Sequence, residues 1–450
     1  MSSSGTAAGD TVTIAGAGPV GTLLAILLAR SGRHVQLYER RSDPRHAASD
    51  RGRSINLALA ARGLKALQQA GVLELLRPEM VEMRGRQLHD LDGGGALLPY
   101  GQHQGEVIHA VSRARLNTVL IAAAAQLPGI ELRFGQRCLD ANPSTGMVHW
   151  RDEASGATRD EPAGLLLAAD GAGSAVRQAL AERGALHATE APLAHDYKEL
   201  HIAPRARGGY VFEPHALHIW PRGGYMLIAL PNPDGSFTAT LFLPAKGNPG
   251  FDTLATPGAA RAFFAARFPD ALRVMDDFDA QFAQHPQGKL ATLYCWPWHA
   301  GTVLLVGDAA HAILPFHGQG LNCGFEDCVL LAELLATSTD AAASCEEFER
   351  RRRPDTDAIA AMAIENYQDM REAVLAPDFA ARKQLAQDLE RRFPQRFIPR
   401  YSMVMFHPEI PYAEAQRRGA LQESVLDALR SAGAGADSTL AAQLLDDAAL

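Results

Sequence analysis

The sequence predicts an α/β protein with a parallel-sheet domain, an inserted and mainly antiparallel β-sheet domain, and a helical C-terminal part. Three observations predict it. A strand, a glycine turn, a helix and a second strand open the chain over residues 11–41. Short strands broken by Pro, Gly and Asn turns crowd residues 200–244. After residue 320 the pattern is almost wholly helical.

The elements follow in order. TVTIA at 11–15 is a short β-branched strand, and GAGPVG leads from it into the apolar helix LLAILLARSG, which Gly32 ends. HVQLYERR is the second strand, completing a βαβ unit. Residues 57–76 read as helix, with Leu59, Leu64, Leu67, Val72 and Leu75 at helical spacing and Pro78 closing the stretch. Residues 113–127 form another helix, IELRFG a strand, and LLLAADG at 165–171 a buried strand running into the helix SAVRQAL. ELHIAP, YVFEP, ALHIWP, YMLIALP and FTATLFLP read as strands of the second sheet. TVLLVGDAAHA at 302–312 returns to a buried strand and turn. Residues 11–75, 105–185 and 290–345 therefore form the first domain. Residues 76–104 and 186–289 form the inserted sheet domain, and 346–450 the helical region, behind a loose tail at 1–10. No repeat of fixed period is visible.

A length of 450 residues exceeds one ordinary core, as this division requires. A net charge of −8 gives no electrostatic footprint for nucleic acid. The five cysteines, Cys138, Cys295, Cys323, Cys328 and Cys345, are odd in number and form no CxxC, which argues for reduced thiols rather than disulfides or zinc. The apolar run 20–29 is too short to span a bilayer, and no membrane anchor or leader is visible, so a cytoplasmic location is expected.

Gly16-Ala17-Gly18-Pro19-Val20-Gly21 sits between a strand and a helix, where a dinucleotide needs it. Gly16 permits the tight turn, Gly18 lets backbone approach a pyrophosphate, and Gly21 lets helix meet strand. Glu39, 18 residues beyond Gly21, can bind ribose hydroxyls. This motif serves FAD or NAD equally. Two further segments each follow an apolar strand: Ala169-Asp170-Gly171-Ala172-Gly173 and Gly307-Asp308-Ala309-Ala310-His311. His311 has no second metal ligand at helical spacing and reads as a satisfied polar histidine, so no metal is expected.

These three elements together resemble the single-component FAD-dependent aromatic hydroxylases. RGRSINLAL at 51–59, MRGR at 83–86, PYG at 99–101, LHIWP at 217–221, ALPN at 229–232, PFHGQG at 315–320, ENY at 365–367 and FIPRYSM at 397–403 narrow the likeness to the kynurenine 3-monooxygenase family, from about residue 11 to about residue 420. The resemblance implies a Rossmann-like FAD-binding domain. Asp308 would hold the ribityl chain, and Gly318 to Asn322 would offer backbone N–H groups to the pyrophosphate and flavin ring. Asp170 and Gly171 would serve FAD and the nicotinamide, and Arg113 would touch the flavin. Gly320, Leu321, Asn322, Pro19, Val20, Tyr38, Arg40, Arg41, Ala58 and Cys138 complete the cofactor candidates.

For the substrate, the same resemblance gives Arg86 a forked bond to the carboxylate and Tyr100 a hydroxyl to the same group. Asn366 and Tyr401 would close the amino-acid head, with Phe237 and Phe316 as the apolar wall and His317 beside them. Asp369 stands where the family usually has Glu. The implied activity is hydroxylation of L-kynurenine to 3-hydroxykynurenine with NADPH and O2 through a flavin C4a-hydroperoxide. Flavin reduction would be stimulated by substrate, and the enzyme would be a monomer or homodimer. No catalytic side chain is expected, because the chemistry belongs to the flavin. The alternative is a flavin hydroxylase of another aromatic acid.

Overall fold

The computed structural model describes residues 11–46, 56–103, 105–371 and 378–448. The tail at 1–10 and the RGRSI part of RGRSINLAL lie outside them. The chain divides into two compact units. The first comprises residues 1–80, 111–193 and 291–353, and the second 81–110, 194–290 and 354–450.

The first unit is built on a six-stranded sheet in the order His299–Ala300, Val303–Leu305, Leu166–Ala168, Thr11–Ala15, His34–Glu39, Ile130–Phe134. All neighbours are parallel except the first pair. Val303–Leu305 and Leu166–Ala168 are buried throughout, which is why they read as unbroken apolar runs. Thr11–Ala15 lies at the centre, with later strands on both sides. Ligands of open parallel sheets bind beyond the carboxyl ends at such a reversal of strand order. The helix Pro19–Arg30 buries Leu23, Leu24, Ile26 and Leu28 and stops at Gly32, whose φ of +92° suits glycine.

Two expectations for this unit need correction. Residues 56–59 form a strand, and the helix runs over Ala61–Gln69, with a separate turn at Leu73–Leu76. Leucine spacing alone suggested one helix. What decides the conformation is a distant side chain: Asn322 Nδ2 donates to Ala58 O at 2.8 Å, and Asn322 Oδ1 accepts from Ala60 N at 2.9 Å. The second correction is a three-stranded antiparallel sheet, Gln136–Ala141, Met147–Asp152 and Thr158–Pro162, which was not foreseen. Its alternation is legible afterwards: Val148 and Trp150 are buried, while His149 and Arg151 are not.

The second unit holds most of a seven-stranded sheet, ordered Gln287–Trp296, His187–Ile202, Phe237–Pro244, Met226–Pro231, Ala216–Pro221, Gly85–Leu88, Leu97–Pro99. It is mainly antiparallel, as expected, with one parallel pair, Gly85–Leu88 beside Ala216–Pro221. Trp220, Phe237, Leu241, Phe264, Phe268 and Phe278 fill the core between one sheet face and the helices Pro257–Arg267 and Phe278–Gln284. YVFEP at 210–214 forms no strand. Gly208 and Gly209 precede it at positive φ, Tyr210 Oη donates to Asn232 O at 2.8 Å, and Phe212 turns into this core. The remainder is helical: the end of Ala341–Arg371, then Phe379–Arg392, Arg400–Phe406, Tyr412–Ser431 and Thr439–Asp447. No helix among the described residues is long and apolar enough to cross a membrane.

Candidate functional site

The glycine turn of the first unit has the geometry a pyrophosphate needs. Gly16 has φ +102° and donates to Tyr38 O at 2.8 Å; a Cβ there would stand 2.5 Å from Ala169 O. A Cβ on Gly21 would stand 2.0 Å from Gly16 O, whereas one on Gly18 would meet nothing within 4 Å. Gly18 therefore borders open space at the start of a helix whose first turn has no side-chain cap and Pro19 at its first position. Val20 lies against Gly307 and Gly324 instead. Gly21→Ala should purify without its yellow cofactor, and the absorbance ratio of flavin to protein checks it. A Gly21→Ala protein fully loaded with flavin would contradict this geometry.

Glu39 Oε2 accepts from Ala17 N at 3.0 Å, and Oε1 accepts from Arg41 N at 3.0 Å and Arg41 Nε at 2.8 Å. Burial works to raise this carboxyl, but the bonds from Arg41 and Ala17 hold it below its ordinary value. It stays charged and steadies the turn. Tyr38 offers less: its ring stacks on Trp150 at 3.9 Å and its hydroxyl donates to Glu161 at 2.7 Å, leaving the backbone as its link to the turn. Arg40 and Arg113 are exposed, and Cys138 is buried with its thiol pushed up by burial.

Asp170 Oδ2 accepts from Ala175 N at 2.9 Å, while Oδ1 is buried with no partner among the described residues. Gly171 follows at φ +86°. Asp308 is exposed at the start of the helix Asp308–His311. Gly318, at φ +65°, leads into the helix Gly320–Thr337, which begins with Gly320, Leu321 and Asn322. The Asn322 amide is fully used: it donates to Ala58 O and Gly318 O and accepts from Ala60 N and Gly63 N. Only its backbone remains for a ligand. An open glycine cradle, an orphaned buried Asp170 oxygen and an exposed Asp308 together fit a dinucleotide.

His311, His317 and Phe316 lie buried in the same unit. His311 Nε2 lies 2.6 Å from Asp327 Oδ2, and Asp327 Oδ1 accepts from Arg352 Nε at 2.7 Å. His311, Cys323 and Asp327 are close enough together to suggest metal ligands, but Arg352 already occupies the carboxylate.

In the second unit, Arg86 holds its guanidinium 4.7 Å from the ring centroid of Tyr401 and 5.8 Å from that of Tyr100. The two tyrosine rings stack at 5.9 Å. Arg86 Nε and Tyr100 Oη are buried with no hydrogen-bond partner among the described residues. Burial raises the Tyr100 and Tyr401 phenols, so both remain protonated donors. Asn366 is buried on the helix Ala341–Arg371, with Nδ2 donating to Met370 Sδ at 3.4 Å. Asp369 is among the charges acting on Arg86.

Phe237 does not join this group. Strand register pairs Arg86 with Leu217, Ile219 with Ile228, and Ile228 with Thr240, so these share a face with Leu230 and Phe242. Phe237 pairs with Pro231 on the opposite face, is 0% exposed and belongs to the core against the helices. Phe242, Ile228 and Leu230 are among the apolar residues on the face of Arg86.

Comparison with known proteins agrees. Residues 10–227 and 256–362 match the family described as FAD binding domain. Kynurenine 3-monooxygenase of Myxococcus xanthus is 46% identical over 421 residues, covering 93% of this chain and 90% of that protein. The kynurenine 3-monooxygenase of Stenotrophomonas maltophilia is 47% identical over 420 residues, covering 93% and 92%. The chain belongs to the kynurenine 3-monooxygenase family. Among solved structures, 2-methyl-3-hydroxypyridine-5-carboxylic acid oxygenase shares the fold at a TM-score of 0.64 and 21% identity, over 92% of this chain and 97% of that one. So does p-nitrophenol 4-monooxygenase from Pseudomonas putida, at 0.64 and 19%, over 85% and 94%. At these identities the likeness concerns the fold alone.

In this member of the kynurenine 3-monooxygenase family, the four turns expected to serve the cofactor, Gly16–Gly21, Asp170–Gly171, Gly307–Asp308 and Gly318–Asn322, all lie in the first unit. Each was visible as a glycine next to an apolar strand or helix. The Asn322 staple was not visible, because an asparagine at a helix start carries no sign of its distant partners.

Proposed function

We propose that this chain hydroxylates L-kynurenine to 3-hydroxykynurenine, using bound FAD, NADPH and O2. The observation that carries this is Arg86, whose buried Nε has no hydrogen-bond partner among the described residues, beside the Tyr100 hydroxyl in the same condition. Unsatisfied donors in a buried place are costly unless a ligand completes them. An α-carboxylate is the complement: a planar acceptor for guanidinium and phenol together. Tyr401, which keeps its proton through burial, backs the same guanidinium.

FAD, when bound, supplies the redox chemistry that transfers electrons from the nicotinamide and activates oxygen. Gly16, Gly18 and Gly21 would hold its pyrophosphate, Glu39 its ribose, and Asp308 its ribityl chain. The protein's own work on the substrate is binding, orientation and exclusion of water. Arg86 and Tyr100 fix the amino-acid end. Phe242, Ile228 and Leu230, on the same sheet face, offer apolar cover for the aromatic end.

The test is NADPH consumption by the purified protein with and without L-kynurenine, with products weighed by mass spectrometry. A kynurenine-dependent rate and a product heavier by one oxygen are expected. Oxidation indifferent to kynurenine would overturn the substrate. A pair of variants separates the two phenylalanines. Phe237→Ala should lower stability by about 3–5 kcal/mol and leave KM unchanged. Phe242→Ala should raise KM. The reverse pattern would restore Phe237 to the substrate wall.

A further inference from the structure

The strand that carries Arg86 ends at Leu88, and His89, the next residue, belongs to a chain of hydrogen bonds on the sheet face opposite Arg86. His89 N donates to Ile219 O at 2.9 Å. His89 Nδ1 lies 2.9 Å from Asp270 Oδ2, and His89 Nε2 lies 2.8 Å from His218 Nδ1. His218 Nε2 lies 2.8 Å from the backbone carbonyl of Glu213. Trp220 Nε1 donates to both Asp270 oxygens at 2.9 Å, and the His89 ring stacks on Trp220 at 4.0 Å. His218 and Trp220 are the polar members of LHIWP, a segment the reaction itself does not use.

Counting protons leads to a definite charge. A carbonyl only accepts, so His218 Nε2 carries a hydrogen. Burial works to raise Asp270, but bonds from His89 and Trp220 lower it to about 2, so it is a carboxylate and His89 Nδ1 carries a hydrogen. The third contact joins two ring nitrogens, one of which must donate. Three N–H groups on four ring nitrogens is one more than a neutral pair holds. The Asp270 carboxylate lies against His89, whereas His218 meets only a backbone carbonyl at its far nitrogen, which puts the extra proton on His89.

We propose that His89 and His218 form a half-buried imidazolium pair with Asp270, and that this ion pair positions the strand presenting Arg86 to the carboxylate of an amino-acid substrate. The proposal rests on the reading of Arg86 given above. Its logic is register. The strand Gly85–Leu88 has one parallel neighbour and the three-residue strand Leu97–Pro99 on its other side. A slip of one residue would turn Arg86 to the wrong face. The bond from His89 to Asp270, on the segment Pro269–Leu272, fixes that register from outside the sheet, the specifying role that an ion pair withdrawn from solvent can take. Arg222 lies alongside, donating from Nη1 to His89 O at 2.9 Å and from Nε to Arg267 O at 2.7 Å. Asp90, Arg267 and Tyr225 are the other charged or titratable groups acting there.

The test uses FAD-loaded enzyme with nitrogen-15 in its histidines. At pH 7, where a free histidine is mostly neutral, one ring whose signals vanish in His89→Gln should show both nitrogens protonated. A neutral His89 ring would overturn the proposal whatever the kinetics. In Asp270→Asn, KM for L-kynurenine should rise roughly tenfold with kcat and FAD content unchanged, and Asp270→Glu should restore most of the loss. His218→Phe, which suits the rings of Phe212 and Phe237 around it, provides the same kinetic test if Asp270→Asn does not fold. Combined with Arg86→Met, Asp270→Asn should add nothing further, since both act through Arg86. If Arg86→Met alone leaves KM unchanged, the Arg86 reading fails and the positioning claim falls with it, while the nitrogen spectrum still decides the charge. If Arg86→Met raises KM and neither Asp270→Asn nor His218→Phe does, the positioning claim alone is overturned.

Discussion

Arg86→Met should raise KM for L-kynurenine ~100-fold, the equivalent of about 3 kcal/mol for a forked, charge-assisted bond lost in a dry site. Met keeps the length and apolar bulk, so the tyrosine rings flanking the guanidinium at 4.7 and 5.8 Å remain supported. What disappears is charge and the orphaned Nε. Arg86→Lys should recover only a small part, because an ammonium cannot span both carboxylate oxygens in a plane or stack on two rings. The effect should fall on KM more than on kcat, as expected when a group binds ground state and transition state alike. Steady-state kinetics with substrate titrated against flavin fluorescence checks both. An unchanged KM would remove Arg86 from the site.

Asp327→Asn should cost about 3–5 kcal/mol of stability and loosen FAD binding. Asp327 is 0% exposed. It joins the helix Asp308–His311 to the helix Ala341–Arg371 through His311 at 2.6 Å and Arg352 at 2.7 Å, from a position near the start of Gly320–Thr337. An amide removes the carboxylate 2.7 Å from the buried Arg352 charge and leaves it Glu326 at 3.4 Å. Burial raises the Asp327 carboxyl, but His311 and Arg352 outweigh it and hold it below its ordinary value. Its contribution is therefore present above the unfolded carboxylate range, near about pH 3.9, and lost as pH falls through the lower folded value. Thermal melting followed by flavin release should show a large drop for the variant near neutrality and a smaller gap in acid. Equal melting temperatures near neutrality would mean that Asp327 does not brace this unit.

The turns that would hold FAD were legible because each demands something only glycine supplies: a positive φ at Gly16 or a close approach at Gly21. Local chemistry of that kind is written in adjacent residues. The sheet face of the substrate group was not legible. FTATLFLP alternates correctly, yet alternation alone leaves open whether Phe237 or Phe242 shares the face of Arg86. That depends on register carried across three neighbouring strands. The strand at Asn56–Leu59 was misread for a related reason: its conformation is fixed by a side chain 264 positions away. The pairing of His89 with Asp270, 181 positions apart, is likewise invisible along the chain.

The Asn322 amide also has a consequence for the order in which the molecule matures. Four backbone groups, on Ala58, Ala60, Gly63 and Gly318, are tied by one side chain, and the first three are made at the ribosome some 260 residues before it. The early glycine turn can emerge and fold, but the residues facing it from Gly318 onward cannot be set until Asn322 has been synthesised. Such long closures are slow, because their entropy is spent before any contact rewards it. Setting the stretch from Gly318 to Asn322 is thus a late event in the life of each chain. A nascent or truncated chain that stops before Asn322 would carry the most recognisable nucleotide motif of the sequence and still be unable to complete the cradle around it.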